Sequence, residues 1–293
     1  MSKHNDEMDN IEIIRYFMAF QSPEKRFPLY SGSSSIRNVA AFMGISENEL
    51  LEARKRFDEV AKNTAVELLS DPEIQSQLRR IPIKNGQTIV AFGDSLTDDK
   101  QGWFEIFRHM LEINTPNPSY EFINMGISGD TSYDALRRVR RVIEANPDWV
   151  FVAFGTNDAS RPFVASDRTT VSLAEFWENI NVISKVFDEF IPNPVVWISP
   201  PGVITQMMED LGLYDGLIHE EDLVQYREVL SGKPGYIVDP HGTRMGNPPQ
   251  MWNFMSDGLH HTPAGHEQTV RAVLQSLANT SEATEGKQLP SLS

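Results

Sequence analysis

The sequence predicts a three-layer α/β sandwich: a five-stranded parallel sheet of flavodoxin-like order 2-1-3-4-5, preceded by a helical N-terminal segment. Three observations carry this. From residue 86 onward, apolar runs of strand length alternate with helical patterns, and repeated β-α units build a parallel sheet with helices on both faces. The runs are almost continuously apolar, as strands covered on both sides are. Short Gly-, Asp- and Asn-bearing segments follow the first three runs, at the strand ends where open parallel sheets hold their ligands.

Residues 1–83 read as a helical extension. Ile11, Ile14, Phe17 and Met18 recur at helical spacing, followed by a Gly/Ser-rich loop from Ser31 to Ser35. Helical spacing resumes through Val39, Ala40, Phe42, Leu50, Leu51, Phe57, Val60 and Ala61. Asp71 is placed to cap a short helix with Pro72 at its first position. The strand runs are Thr88 to Phe92, Tyr120 to Asn124, Trp149 to Phe154, Val195 to Ser199 and Tyr236 to Val238. Between them lie helical patterns at 101–113, 132–145, 172–190 and 220–230, and a last helix follows the Thr262 cap and Pro263. Residues 84–280 thus form the α/β domain, and the polar stretch 281–293 reads as a mobile tail.

With 293 residues, 40% of them hydrophobic, the chain can bury a core of domain size with an accessory segment. Its 26 basic and 41 acidic residues give a formal net charge of −15, most of the excess lying after residue 84. An acidic body disfavours nucleic acid as a partner, because phosphate binding needs clustered Lys and Arg. The lack of cysteine excludes disulfides, a thiol nucleophile and thiolate metal sites, and fits the cytoplasmic location expected here. The start, MSKHNDEMDN, is polar, and the first apolar stretch carries Arg15. Neither a signal peptide nor a membrane span is expected.

Four segments carry chemistry: Gly93-Asp94-Ser95-Leu96, Asn124 to Thr131, Gly155-Thr156-Asn157-Asp158 and Asp257-Gly258-Leu259-His260. Ser95 is the candidate nucleophile, in a turn at a helix start where amides and dipole favour negative charge. His260 is the candidate general base, with Asp257 three residues before it as the group that fixes its tautomer. Gly129, Asn157 and the Ser95 amide are candidate donors to an oxyanion. Singly, each has a plainer reading: a helix cap for Ser95, a turn glycine for Gly129, an Asx turn for Asn157, a surface turn for the Asp–His segment. Their joint occurrence after successive strands favours catalysis. There is no Gly-x-Ser-x-Gly elbow. Of the competing histidines, His266 falls inside the last helix as a structural residue, His261 reads as a residue behind the site or at the surface, and His109 and His241 as ordinary helix and loop positions. The cluster 260, 261 and 266 lacks the carboxylate–His spacing of a zinc helix, so no metal is expected.

On these residues the chain resembles the SGNH hydrolase family, also called GDSL esterases or lipases. Ser95 matches the family's first block, Gly129 in Ser128-Gly129-Asp130-Thr131 its second, Asn157 in Gly155-Thr156-Asn157-Asp158 its third, and Asp257 with His260 its fifth. The resemblance spans roughly residues 86–280 and does not reach 1–83. It implies a carboxylic ester hydrolase without a cofactor, working through an acyl-enzyme, with Ser95, Asp257 and His260 catalytic and Ser95, Gly129 and Asn157 as the oxyanion hole. Family substrates include acetylated sugars, lysophospholipids, acyl thioesters and simple esters.

No long apolar stretch suggests a lipid-binding lid, so a small-molecule, short-acyl ester is expected, an acetylated carbohydrate among the candidates, with acyl thioesterase or lysophospholipase as alternatives. Trp103, Trp252 and Phe254 are candidate aromatic walls or core residues, and the long stretch 200–256 is placed to shape the pocket. Residues 38–57 have a helix-turn-helix look. A DNA-binding module, and with it a non-catalytic regulatory protein, is the rival reading. The balanced charge of the segment favours a helical cap or a surface for self-association, against which stands only Arg54-Lys55-Arg56.

Overall fold

Five strands pair in parallel: β1 (Thr88–Gly93), β2 (Glu121–Asn124), β3 (Trp149–Ala153), β4 (Val196–Ile198) and β5 (Tyr236–Val238). Their order across the sheet is β2-β1-β3-β4-β5, the order expected from the sequence. The computed structural model describes residues 18–28 and 32–279. The expected helix through Ile11, Ile14 and Phe17, and the expected mobile tail, lie outside them.

Besides the single turns Pro23–Arg26 and Ser95–Asp98, the α-helices of the described residues are α1 (Ile36–Met43), α2 (Glu47–Leu69), α3 (Pro72–Leu78), α4 (Trp103–Asn114), α5 (Ser132–Glu144), α6 (Leu173–Phe190), α7 (Thr205–Leu211), α8 (Glu220–Ser231) and α9 (Pro263–Ala278). Local chemistry sets several of their ends. Ser46 and Glu49 form a reciprocal capping box at the start of α2. Asp71 caps α3 with Pro72 in its first turn, and the Thr262 hydroxyl caps α9, both as the sequence predicted.

Period-two alternation sends each strand's side chains to opposite layers. On β1, Ile89 and Ala91 face one core and Val90 and Phe92 the other; on β3, Trp149 and Phe151 oppose Val150 and Val152. The first core is closed by α2, α3, α4 and α9, through residues such as Leu68, Leu78, Phe107 and Leu274. The second is closed by α5, α6 and α8, through Val142, Phe176, Ile183 and Leu223. Phe151 is fully buried, and its truncation to Ala costs about 3–5 kcal/mol by loss of transfer energy plus a cavity. A third, smaller cluster joins Met18, Phe20, Val39, Leu50 and Phe57 to Met255 of the segment before α9. Residues on both sides of position 84 therefore share packed cores.

Two features of the stretch 200–256 were not foreseen. One is α7, closed by Gly212 in the left-handed region at φ 61°. The other is a two-residue antiparallel ribbon pairing Arg161–Pro162 with Gly216–Leu217. Among the described residues no helix is long and apolar enough to cross a membrane.

Candidate active site

The order of strands reverses between β1 and β3, so the loops leaving β1, β2 and β3 meet at one end of the sheet. These are the loops that carry Ser95, Gly129 and Asn157. After β1 the chain turns sharply: the Asp94 carboxylate accepts a hydrogen bond from the Leu96 amide at 3.0 Å and opens a short helical turn, Ser95–Asp98. Ser95 is its first residue and is 7% exposed. Burial pushes the Asp94 carboxyl up to about 7, against the pull of the Leu96 amide and of His260.

The loop after β2 lies against this turn because position 126 has no side chain. A Cβ on Gly126 would stand 2.5 Å from the Asp98 amide nitrogen and 2.9 Å from the Asp94 carbonyl. Three residues on, Gly129 takes φ 77°, a conformation that suits glycine. Its surroundings are open. After β3, the Asn157 side-chain amide donates to the Asp130 carbonyl at 3.0 Å, tying the second and third loops together. Next to it, Asp158 is fully buried and accepts from the amide and hydroxyl of Ser132. Burial raises its carboxyl to about 6 even though the Ser132 bonds oppose the rise.

His260 arrives from the other end of the sequence. A tight loop brings it back: the Met255 amide donates to the His260 carbonyl at 2.7 Å, and the Gly258 amide to the Met255 carbonyl at 3.0 Å. Within that loop one oxygen of Asp257 accepts the amides of Leu259 and His260 at 3.0 and 2.9 Å. Its other oxygen lies 2.6 Å from His260 Nδ1. His260 Nε2 lies 2.9 Å from Ser95 Oγ, so hydroxyl, imidazole and carboxylate form one continuous chain. Asp257 is fully buried. Burial alone would raise its carboxyl, but the His260 charge and the hydrogen bonds from His260, Tyr214 and the Leu259 amide outweigh it and hold the carboxyl below its ordinary range.

Two residues here escaped the sequence reading. The Tyr214 hydroxyl donates to Asp257 Oδ2 at 2.7 Å and lies 3.3 Å from His260 Nδ1. Phe20 stacks on the His260 ring, centroids 4.2 Å apart and planes 20° apart. No motif surrounds either residue; the one local hint is Gly212, which ends α7 just before Tyr214. The other histidines lie elsewhere. His266 Nε2 meets the buried Asp99 carboxylate at 2.9 Å, a structural contact as expected. His261 is not at the surface: it is 1% exposed, packed against the Phe254 and His266 rings. Burial pushes its imidazole well below the ordinary range.

A pocket of about 440 Å³ opens over Ser95, with Gly129, Asn157, His260, Phe20 and Tyr214 in its wall. The stretch 200–256 shapes it, as expected, through Met208, Tyr214, Asp215 and Ile218. None of the three aromatic residues left open between wall and core is in its lining. Trp103 is buried against Phe104 and Phe151, Phe254 is buried, and Trp252 is 65% exposed away from the cavity.

The three loops therefore meet at the switch point of a parallel α/β sandwich. Residues 91–268 match the model of the GDSL-like Lipase/Acylhydrolase family. The chain belongs to that family. In fold it is similar to a catalytic variant of Axe2, an acetylxylan esterase from Geobacillus stearothermophilus, at 19% identity and TM-score 0.53, covering 67% of this chain and 95% of that one. It is similar also to LAE5, an alpha/beta hydrolase enzyme from the metagenome of Lake Arreo, Spain, at 20% identity and TM-score 0.55, covering 67% and 96%. In sequence it is 32% identical over 105 residues to YqeF, an uncharacterized lipoprotein of Bacillus subtilis (strain 168), covering 32% of this chain and 40% of that relative. The chain thus matches two fifths of the length of this curated relative.

Proposed function

We propose that the protein is a serine-dependent carboxylic ester hydrolase acting on a small, short-acyl ester through an acyl-enzyme. The observation that supports this best is the 2.9 Å approach of Ser95 Oγ to His260 Nε2, with His260 Nδ1 2.6 Å from Asp257. Both distances lie in the range a nucleophile–base–carboxylate relay requires. In this reading Ser95 Oγ attacks the ester carbonyl while His260 Nε2 takes its proton. The oxyanion is met by the amides of Ser95 and Gly129 and by the Asn157 side chain. Collapse breaks the ester C–O bond, and His260 returns the proton to the departing alcohol. Water then attacks the acyl-enzyme with His260 again as base, releasing the acid and restoring Ser95. Asp257 stays ionised throughout, holding the imidazole and stabilising its charged form.

The pocket wall favours a neutral alcohol group. Its lining holds no Lys or Arg but does hold Gln21, Ser128, Ser160, Asp215 and two aromatic rings. Phosphate-bearing acyl thioesters and lysophospholipids lack a countercharge there, whereas aromatic faces and neutral polar groups suit an acetylated carbohydrate. The use of the same fold by an acetylxylan esterase makes acetylated xylo-oligosaccharides the first substrates to test. In the N-terminal helix pair, the first turns of α2 carry Glu47, Glu49 and Glu52, acidic charge that favours a cap on the hydrolase over a nucleic-acid reader. A cytoplasmic location is part of this proposal and is checked by cell fractionation. The test of function is a panel of acetyl, butyryl and longer p-nitrophenyl esters, acetylated sugars and acyl thioesters, assayed beside Ser95→Ala. Turnover of acetyl esters, lost in Ser95→Ala, is expected. Absence of hydrolysis of every ester by folded protein would contradict the proposal.

A further inference from the structure

The sequence before residue 91 lies outside the family match, yet part of it reaches the catalytic loops. The segment from Met18 to Phe27, MAFQSPEKRF, runs over the site as a strap. Part of it is anchored away from the site, by packing on Val39, Leu50 and Phe57, by Lys100 and by the Glu24–Arg54 pair, and the rest of its contacts fall on the loops that carry the proposed catalytic groups. Phe20 is buried, 1% exposed, with its ring on the His260 imidazole. The Phe20 carbonyl accepts from the Ser128 hydroxyl, the residue before Gly129. Ser22 Oγ donates to Asp98 at 2.9 Å, at the end of the turn that begins with Ser95. Lys25 Nζ reaches the same Asp98 carboxylate, Asn124 Oδ1 at 3.1 Å and the Gly126 carbonyl at 3.2 Å. Arg26 donates to the Ser128 carbonyl and to Asp130 at 3.1 Å.

Charge explains why the strap stays in place. The side chains of Asp98 and Asp130 are 0% and 4% exposed, and a buried carboxylate needs a partner. Lys25 supplies it for Asp98, and Arg26 does so for Asp130 together with Arg138. The strap therefore ties the turn of Ser95 to the loop of Gly129, and lays a flat ring on the base between them. The imidazole cannot turn about its Cβ–Cγ bond without displacing that ring, and water is kept from its covered face.

We infer that residues 18–27 form a built-in wall of the active site, with Phe20 as a positioning residue for His260 and Lys25 as a positioning residue for the loop of Gly129. The inference rests on the proposed catalytic reading, and Phe20 and Gln21 in the pocket lining make the strap part of the substrate's surroundings as well.

The test uses the full chain with Phe20→Ala, Phe20→Leu, Phe20→Tyr, Lys25→Met and Lys25→Arg. Three quantities are measured well below each variant's Tm: kcat and KM for p-nitrophenyl acetate, the rate of Ser95 labelling by a fluorophosphonate, and the NMR shifts of the His260 ring protons. Phe20→Ala and Lys25→Met are expected to lower kcat and the labelling rate by about 10-fold or more, since small misplacements of catalytic groups cost that much, with KM changed less than threefold. Phe20→Tyr, which keeps the flat ring, and Lys25→Arg, which keeps the charge, are expected to recover most of the rate. Phe20→Leu keeps bulk but not the ring, so it should recover less. In wild type the His260 ring protons should resonate upfield under the Phe20 ring current and move downfield in Phe20→Leu. Wild-type kcat, labelling rate and ring-proton shifts in folded Phe20→Leu and Lys25→Met would overturn the inference. If Phe20→Ala fails to fold, the Leu and Tyr pair decides. Failure of wild type itself to label or turn over would count against the proposed function, leaving the ring-proton shifts to test the stacking alone.

Discussion

Replacing Tyr214 by Phe removes one oxygen from the centre of the site and little else. That hydroxyl donates to Asp257 Oδ2 at 2.7 Å, the short end of hydrogen bonding and typical of a donor to an ionised acceptor. Such bonds contribute about 1.5–3 kcal/mol. Asp257 is not left bare by the change, because the amides of Leu259 and His260 and the His260 ring still reach it. The lower end of that range is therefore the fair value, and about 1.4 kcal/mol corresponds to a tenfold loss in kcat/KM. The pH profile moves in a determined direction. The Tyr214 bond is one of the influences that hold the Asp257 carboxyl low. Without it the carboxyl rises back toward its ordinary range, so the ionised carboxylate that orients the imidazole is lost at a higher pH than in wild type. The acidic limb of kcat/KM should shift to higher pH by up to about one unit, since one unit corresponds to 1.36 kcal/mol. The assay is kcat/KM for p-nitrophenyl acetate from pH 4 to 9, with thermal melts confirming the fold. A variant within twofold of wild type, with an unmoved acidic limb, would refute the place given to Tyr214.

Other expectations follow from the same geometry. Asn157→Ala removes the proposed oxyanion donor and should lower kcat by roughly 10²–10³-fold with a smaller change in KM, read from steady-state kinetics; normal activity removes Asn157 from the site. Asp94→Asn keeps the oxygen that caps the turn but cannot titrate. In the folded protein the Asp94 carboxyl is raised to about 7, against ~4 in an unfolded chain. Its contribution to stability is therefore full below pH ~4 and is lost as pH rises through about 7. Melts across that window should show wild type losing stability relative to Asp94→Asn, and parallel curves would contradict this. Gly126→Ala puts a Cβ 2.5 Å from the Asp98 amide, where backbone must move, and should destabilise by roughly 1–3 kcal/mol in urea titrations while slowing turnover.

The sheet was legible because its signal is local and repeated. Five apolar runs of strand length, each followed by a turn and a helical pattern, set both the number of strands and their parallel pairing. Only their ends shifted by a residue or so: β4 stops at Ile198, where Pro200 and Pro201 soon deprive the ladder of donors. Ser95 and His260 could be paired across 165 positions because each sits in a motif with its own chemistry. Phe20 and Tyr214 could not. Phe20 reaches His260 through contacts distant in sequence, packing on Leu50, Phe57 and Met255 and the pairing of Lys25 and Arg26 with buried carboxylates at 98 and 130, none of which leaves a local trace. Tyr214 lies in a connection without periodicity, and its role depends on how α7 folds back over the Asp257 loop. Trp103 stayed open between pocket wall and core for a related reason. An aromatic residue near a strand end reads alike whether it faces a pocket or a core, and here the neighbours Phe104 and Phe151 decided for the core.

The most direct measurement of the catalytic claim is mass spectrometry of intact protein treated with a fluorophosphonate, followed by peptide mapping, for wild type, Ser95→Ala and His260→Ala. The account predicts one adduct per chain on Ser95 in wild type, none in Ser95→Ala, and labelling slowed by orders of magnitude in folded His260→Ala. An adduct on another residue, or labelling of Ser95 at an unchanged rate without His260, would contradict it.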